Sequence, residues 1–355
     1  MNRLTQSIFT LVNVMTSEGR FRDLDPAVLS DLAAFIRSST GEPLKRGVWC
    51  FLFSSGEAIV RNVLASSLFF VLLAQAFGQS IQPIKIQVNG VELHYIEKGQ
   101  GEALILLHGG IGDYRSWNSQ IQAFAPDYRV ISYSRRYHYP NQNPLSDANH
   151  SALVEAKDLA AFLKKLNLKR VHLVGQSYGA LTALVFAIKH PEIVRTLVLG
   201  EPPAHQLIRC SPDGEAVYQD FMTNTWEPAA EAFRKGEDKQ ALDILALGMV
   251  GKGFNELPPT AQASQLQNAL SMKSLTMSAS PFPNVTGDEL RRLKMPIFIL
   301  TGENTTRIHG RVTQQLARLL PDAKAVTIPK SRHPIPSDNP QAFNEAVQEF
   351  LRASK

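Results

Sequence analysis

Cysteine is nearly absent from this chain. Two residues in 355, Cys50 and Cys210, lie far apart and outside any metal-ligand spacing, which excludes a disulfide framework and a cysteine zinc site. A concentrated basic block is also missing. The formal net charge is only +5 and the isoelectric point about 9.1, so nothing in the charge pattern points to nucleic acid. There is no internal repeat, which excludes a solenoid, and no low-complexity tract. What remains is a globular composition: 44% hydrophobic, 8% aromatic and 19% charged. That is enough apolar content to bury one large core or two modest ones.

Long uncharged runs are scarce too, with one exception at residues 61–78. Arg61 precedes it, Val63 to Phe77 carries no charge, and it ends in the small-residue pattern Ala74-Gln75-Ala76. A charged start, a short apolar centre and an A-x-A-like end describe a secretory signal peptide. At about 15 residues it is short for a spanning helix, which needs roughly 20. Three readings stand: a signal peptide whose true start lies near Val60, an uncleaved membrane anchor, or a buried helix. The first two imply an exported or membrane-tethered protein, the third a cytoplasmic one. Upstream, Asp25 and Pro26 suit the N-cap and first turn of a short amphipathic helix. Residues 1–80 thus read as an N-terminal extension without chemistry.

From residue 81 the pattern becomes regular. Two alternating segments flank Asn89-Gly90, the preferred two-residue hairpin turn. Buried strands (ALILL, RVISY, VHLVG, VRTLVLG, PIFILTG, AKAVTI) then alternate with helix-like stretches. This rhythm predicts an α/β fold: a mostly parallel sheet covered on both faces, with antiparallel strands at one edge. Residues 203–285 lack β-type runs and predict a helical cap inserted between two strands.

Three stretches carry chemistry. Gly175-Gln176-Ser177-Tyr178-Gly179 follows a strand and opens a helix, the context of a nucleophile elbow. His108-Gly109-Gly110 ends an earlier strand, where an oxyanion hole needs a bare backbone N–H. Gly110 is the expected donor, paired with the N–H of Tyr178. His108 reads as a brace for that loop. His333 follows the last strand, placed to take the Ser177 proton. The other eight histidines, His190 and His205 among them, lack this placement, and only His138 is kept as a further candidate. Asp338 reads as the N-cap of the final helix.

In this order the three motifs resemble the α/β-hydrolase fold superfamily, over about residues 83–353. The resemblance implies an eight-stranded, mostly parallel sheet and the order nucleophile, acid, histidine. It makes Ser177 the nucleophile, His333 the base, and Gly110 and Tyr178 the oxyanion donors. It implies a serine hydrolase acting on an ester, thioester or lactone of a small or medium apolar molecule, with no metal and no organic cofactor. A carbon–carbon bond hydrolase, a cofactor-free haloperoxidase-like enzyme and a non-catalytic binding homologue are the alternatives. The chain departs from the family at the acid, because Thr305 stands where an Asp is usual. Glu201, at the end of the sixth strand, is the preferred substitute and Glu303 the alternative. The loop after the fourth strand carries Arg135 and Arg136, which either bind a substrate anion or brace the loop or the cap through ion pairs. Phe221, Met222 and Trp226 of the cap are candidates for an apolar acyl pocket.

Overall fold

The computed structural model describes residues 82–145 and 149–354. The apolar run at 61–78 and the helix expected near Asp25 lie outside the described residues. Among those described, no helix is long and apolar enough to cross a membrane.

Eight strands form one sheet in the order β1-β2-β4-β3-β5-β6-β7-β8. They are β1 (Ile84–Val88), β2 (Val91–Lys98), β3 (Ala103–Leu107), β4 (Arg129–Tyr133), β5 (Val171–Gln176), β6 (Val194–Gly200), β7 (Ile297–Gly302) and β8 (Lys324–Ile328). β1 and β2 form the antiparallel hairpin, and β2 also runs antiparallel to β4; every other pairing is parallel. At the hairpin turn Asn89 and Gly90 both have positive φ, as a type I′ turn demands.

Period-two alternation sends each strand's side chains into two separate cores. Ile105, Leu107, Leu173 and Leu199 pack on one face beneath α2 (Ala152–Lys165) and α3 (Tyr178–Lys189). Leu104, Leu106, Val174 and Val198 pack on the other, with α1 (Asn118–Phe124) and the C-terminal helix. Strands apolar on both sides are what a doubly covered parallel sheet requires.

Between β6 and β7 the chain is helical: α4 (Pro212–Phe221), α5 (Glu227–Arg234), α6 (Asp238–Val250), α7 (Pro259–Gln267), α8 (Ala269–Thr276) and α9 (Gly287–Arg291). α8 and the loop after it close onto the strand ends. Ser271 Oγ donates to the Gly110 carbonyl at 2.6 Å, and Tyr178 Oη donates to the Pro281 carbonyl at 2.6 Å. α10 (Arg307–Leu319), α11 (Ile335–Asp338) and α12 (Pro340–Ala353) complete the fold. The N-cap of α12 is Asn339, whose side chain accepts from the Ala342 N–H. Asp338 does not cap it, because its carboxylate is held by Arg332 through the backbone N–H and the guanidinium.

Candidate active site

β5 ends at Gln176, and Ser177 follows with φ of 53°, a conformation that side-chain-bearing residues rarely adopt. The turn is held from both sides. The Ser177 N–H donates to the Gly200 carbonyl at 2.7 Å, continuing the β5–β6 ladder past its last pair. The glycines permit the close approach: a Cβ on Gly179 would lie 2.3 Å from the Leu107 carbonyl oxygen, and one on Gly175 2.5 Å from Ala180 Cα. The chain then enters α3, so Ser177 sits half-buried at a helix N-terminus.

One strand further, the same device recurs. Glu201 follows β6 with φ of 46°, and its N–H donates to the Leu300 carbonyl of β7 at 3.2 Å. Its carboxylate is fully buried and every lone-pair direction is answered. Oε1 accepts from Thr301 Oγ1 at 2.9 Å and from the Gly302 N–H at 2.8 Å. Oε2 accepts from Thr305 Oγ1 at 2.9 Å and from His333 Nδ1 at 2.6 Å. His333 Nε2 in turn lies 2.8 Å from Ser177 Oγ. The ring therefore takes the tautomer with its proton on Nδ1, leaving Nε2 to accept from the serine hydroxyl. The loop bearing His333 is pinned by Gln176, whose Nε2 donates to the His333 carbonyl at 2.6 Å.

Glu303 is not part of this constellation. It is exposed, and its Oε2 accepts from the Lys330 N–H at 2.8 Å. A residue directly after Gly302 turns outward, whereas the end of β6 faces His333.

The loop after β3 stands beside the elbow. A Cβ on Gly109 would lie 3.4 Å from Ser177 Cβ, and one on Gly110 3.9 Å from Tyr178 Cβ. Two groups converge on the Gly109 carbonyl: Arg135 Nη2 donates at 2.9 Å, and His108 Nδ1 lies 2.9 Å away. In a trans peptide the next N–H points to the opposite edge, so fixing this oxygen also fixes the direction of the Gly110 N–H. His108 Nε2 accepts the Arg135 N–H at 3.1 Å. Burial, then Arg135, push the His108 pKa down to about 3, so the ring is neutral. His138 packs edge-on against it at 4.4 Å and contacts the Gly112 carbonyl at 2.6 Å, serving the loop rather than the nucleophile.

Arg135 and Arg136 do not offer their charges to a ligand. Arg135 is fully buried and ion-paired with Glu155. Arg136 makes a bidentate pair with Asp158 at 2.9 and 2.8 Å. A guanidinium buried this deeply needs a fixed counter-ion, and α2 supplies both carboxylates. Trp226 is buried in an aromatic group with Phe221 and Phe282. With Tyr218, Met222, Ala230, Pro281 and Phe282 it lines a cap cavity of about 270 Å³. Phe282 bridges this cavity to Tyr178, with ring centroids 6.1 Å apart.

Two neighbours of the site were not expected from sequence. His309, in the first turn of α10, stacks on His333 with centroids 3.6 Å apart and planes 5° off parallel. His205, in a single turn after β6, packs against Phe282 and Phe221. The available signal was Thr305: a hydroxyl at the usual acid position, four residues before His309. Donor atoms of Glu201, His309 and His333 lie within 4.8 Å of one another, a spacing that suits a divalent cation. Both nitrogens of His333 and both oxygens of Glu201 are already engaged, so a cation there would have to break the serine–histidine–carboxylate chain.

Comparison with known proteins bears on the fold and the family. A 2-hydroxy-6-oxononadienedioate/2-hydroxy-6-oxononatrienedioate hydrolase of Burkholderia vietnamiensis is 28% identical over 286 residues, 76% of this chain and 94% of the relative. A serine hydrolase of Mus musculus is 25% identical over 78% of this chain and 88% of its own length. Among solved structures, an esterase of Thermogutta terrifontis superposes with a TM-score of 0.60 at 23% identity, covering 77% of this chain and 99% of that one. The family model described as the alpha/beta hydrolase fold matches residues 102–340. Eight strands in the observed order, with a serine on the elbow after β5, and the family model over two thirds of the chain place it in the α/β-hydrolase fold family, with hydrolases among its relatives.

Proposed function

We propose that this hydrolase cleaves an ester, thioester or lactone of a small to medium, largely apolar molecule through an acyl-enzyme. The observation that carries the reading is the unbroken hydrogen-bond chain from Ser177 Oγ through His333 to Glu201, 2.8 and 2.6 Å long. Ser177 Oγ attacks the substrate carbonyl while His333 Nε2 takes its proton. Glu201 stabilises the imidazolium and holds its tautomer. The N–H groups of Gly110 and Tyr178 receive the oxyanion, and the α3 N-terminus adds its dipole. His333 then protonates the leaving group, and water activated by the same nitrogen releases the acyl group.

Several relatives are named for dicarboxylate substrates, such as the dioate hydrolase above and a succinate-type hydrolase of Acinetobacter baylyi. A dianion needs cations to receive it, and the guanidinium groups of Arg135 and Arg136 are neutralised by Glu155 and Asp158. That favours an uncharged substrate. The test is covalent labelling by a fluorophosphonate. Wild type is expected to label at Ser177 and Ser177→Ala not at all; a folded wild-type protein that resists the reagent would sink the reading.

A further inference from the structure

His205 and His309 are buried, and neither ring nitrogen of either residue has a hydrogen-bond partner among the described residues. An imidazole always carries at least one N–H, and a neutral one also carries a lone pair. Leaving these unpaired in an apolar setting costs on the order of 1–3 kcal/mol per group. Such a cost calls for an explanation, and here it falls twice beside one reactive histidine. His309 lies flat on His333, and one of its nitrogens is within 4.8 Å of a His333 nitrogen and a Glu201 oxygen. His205 comes from the turn His205–Ile208, against which α10 packs. Its ring is walled by Phe221 and Phe282, and Phe282 also lines the cap cavity.

Resting on the acyl-transfer reading above, we infer that His205 and His309 form a polar subsite for an uncharged hydroxyl group on the substrate, a few bonds from the scissile carbonyl. Each neutral imidazole presents one donor and one acceptor, and a hydroxyl presents the same complement. A carboxylate fits less well, since it would require these rings to take up protons against their surroundings. Burial comes first in holding both rings neutral, with His333 adding to it; the His205 pKa is down to about 3 and that of His309 well below its ordinary value. The substrate class therefore narrows to esters that are apolar overall but carry a hydroxyl in the acyl or the alcohol part.

The experiment compares kcat/KM for ethyl butyrate, ethyl 2-hydroxybutyrate, ethyl 3-hydroxybutyrate and 2-hydroxyethyl butyrate, in wild type, His205→Phe and His309→Phe. Wild type is expected to prefer at least one hydroxylated ester over ethyl butyrate by about tenfold or more. Each Phe substitution is expected to reduce that ratio by about tenfold. Phe keeps an aromatic ring of similar size, so His309→Phe retains a stacked neighbour for His333 while removing the ring nitrogens. Thermal unfolding is expected to hold or rise, because the variants bury no unpaired polar atom. Absence of any hydroxyl preference in wild type, or a preference that survives both substitutions, overturns the inference. Proportional loss on all four esters with a lowered Tm assigns the rings a merely structural role and overturns it too. Fluorophosphonate labelling of the same preparations separates the two levels: labelled protein without hydroxyl preference defeats the subsite alone, while unlabelled wild type defeats the acyl-transfer reading beneath it.

Discussion

Glu201 accepts from Thr301, Gly302, Thr305 and His333 with its two oxygens, and the last two share Oε2. A buried carboxylate persists only when answered in this way, so its neighbours are as much part of the design as the acid. Glu201→Gln places an amide against His333 Nδ1 and upsets the tautomer; kcat is expected to fall by about 10⁴. Glu303→Gln changes an exposed side chain bonded to the Lys330 N–H and is expected to stay within about twofold of wild type. The reverse ranking in steady-state kinetics would assign the acid to Glu303. Thr305 offers a sharper version of the same test. Its hydroxyl touches the oxygen that receives His333, so a carboxylate there lies within reach of the same Nδ1. In the double variant Glu201→Gln/Thr305→Asp, activity is expected to recover at least about tenfold over Glu201→Gln alone. Thr305→Asp by itself puts two carboxylates side by side, where one stays protonated. No recovery in the double variant would mean that position 305 cannot orient the histidine.

Elements here are tied together by one buried ion pair. Glu155 of α2 receives Arg135 from the loop after β4, Thr182 of α3 at 2.8 Å and His150 at 3.1 Å. Burial pushes its carboxyl upward, but Arg135 and His150 outweigh this and hold the pKa down to about 2. Glu155→Gln leaves a fully buried guanidinium without its counter-ion, and urea unfolding is expected to show a loss of about 3–5 kcal/mol. Asp288→Asn, which breaks an exposed pair with Arg291 on α9, is expected to cost under about 0.5 kcal/mol. Equal losses would remove the special status of the buried pair. These ties also mark where reading the chain stops. β3 and β5 were legible because both of their faces are apolar. The Ser177 elbow was legible because strand, glycines and helix are adjacent in sequence, and His333 because it follows the last strand. For Arg135 the sequence leaves an ion-pair brace and an anion binder both open, since its partner Glu155 lies 20 residues on, in another element. His205 gives no local signal and His309 only the Thr305 hydroxyl four residues before it; folding α10 against the turn after β6 brings them together.

Across the whole molecule, neutral imidazoles are buried at the business end of the sheet: His108 and His138 under the loop after β3, His205 and His309 beside His333. Burial is the largest cause in each case and lowers all four pKa values from 6.5, to about 3 for His108 and His205. The unfolded chain therefore binds protons near pH 6.5 that the folded chain refuses until the pH is well below that. Stability contributed by these groups is complete above pH 6.5 and is lost as pH falls through that window. Each such histidine adds up to about 1.4 kcal/mol per pH unit to the slope. Glu155, lowered from 4.5 to about 2, steepens the loss in the same direction below pH 4.5. Melting temperatures between pH 7.5 and pH 4 are thus expected to fall steeply once pH drops below about 6.5. In the double variant His205→Phe/His309→Phe two of the four proton-binding differences are gone, so its slope over the same range is expected to be roughly halved. An unchanged slope would mean that these two rings are protonated, or reached by water, in the folded protein. The same result would remove the physical basis for a neutral hydroxyl-binding subsite, since a charged pair beside His333 would select an anion instead.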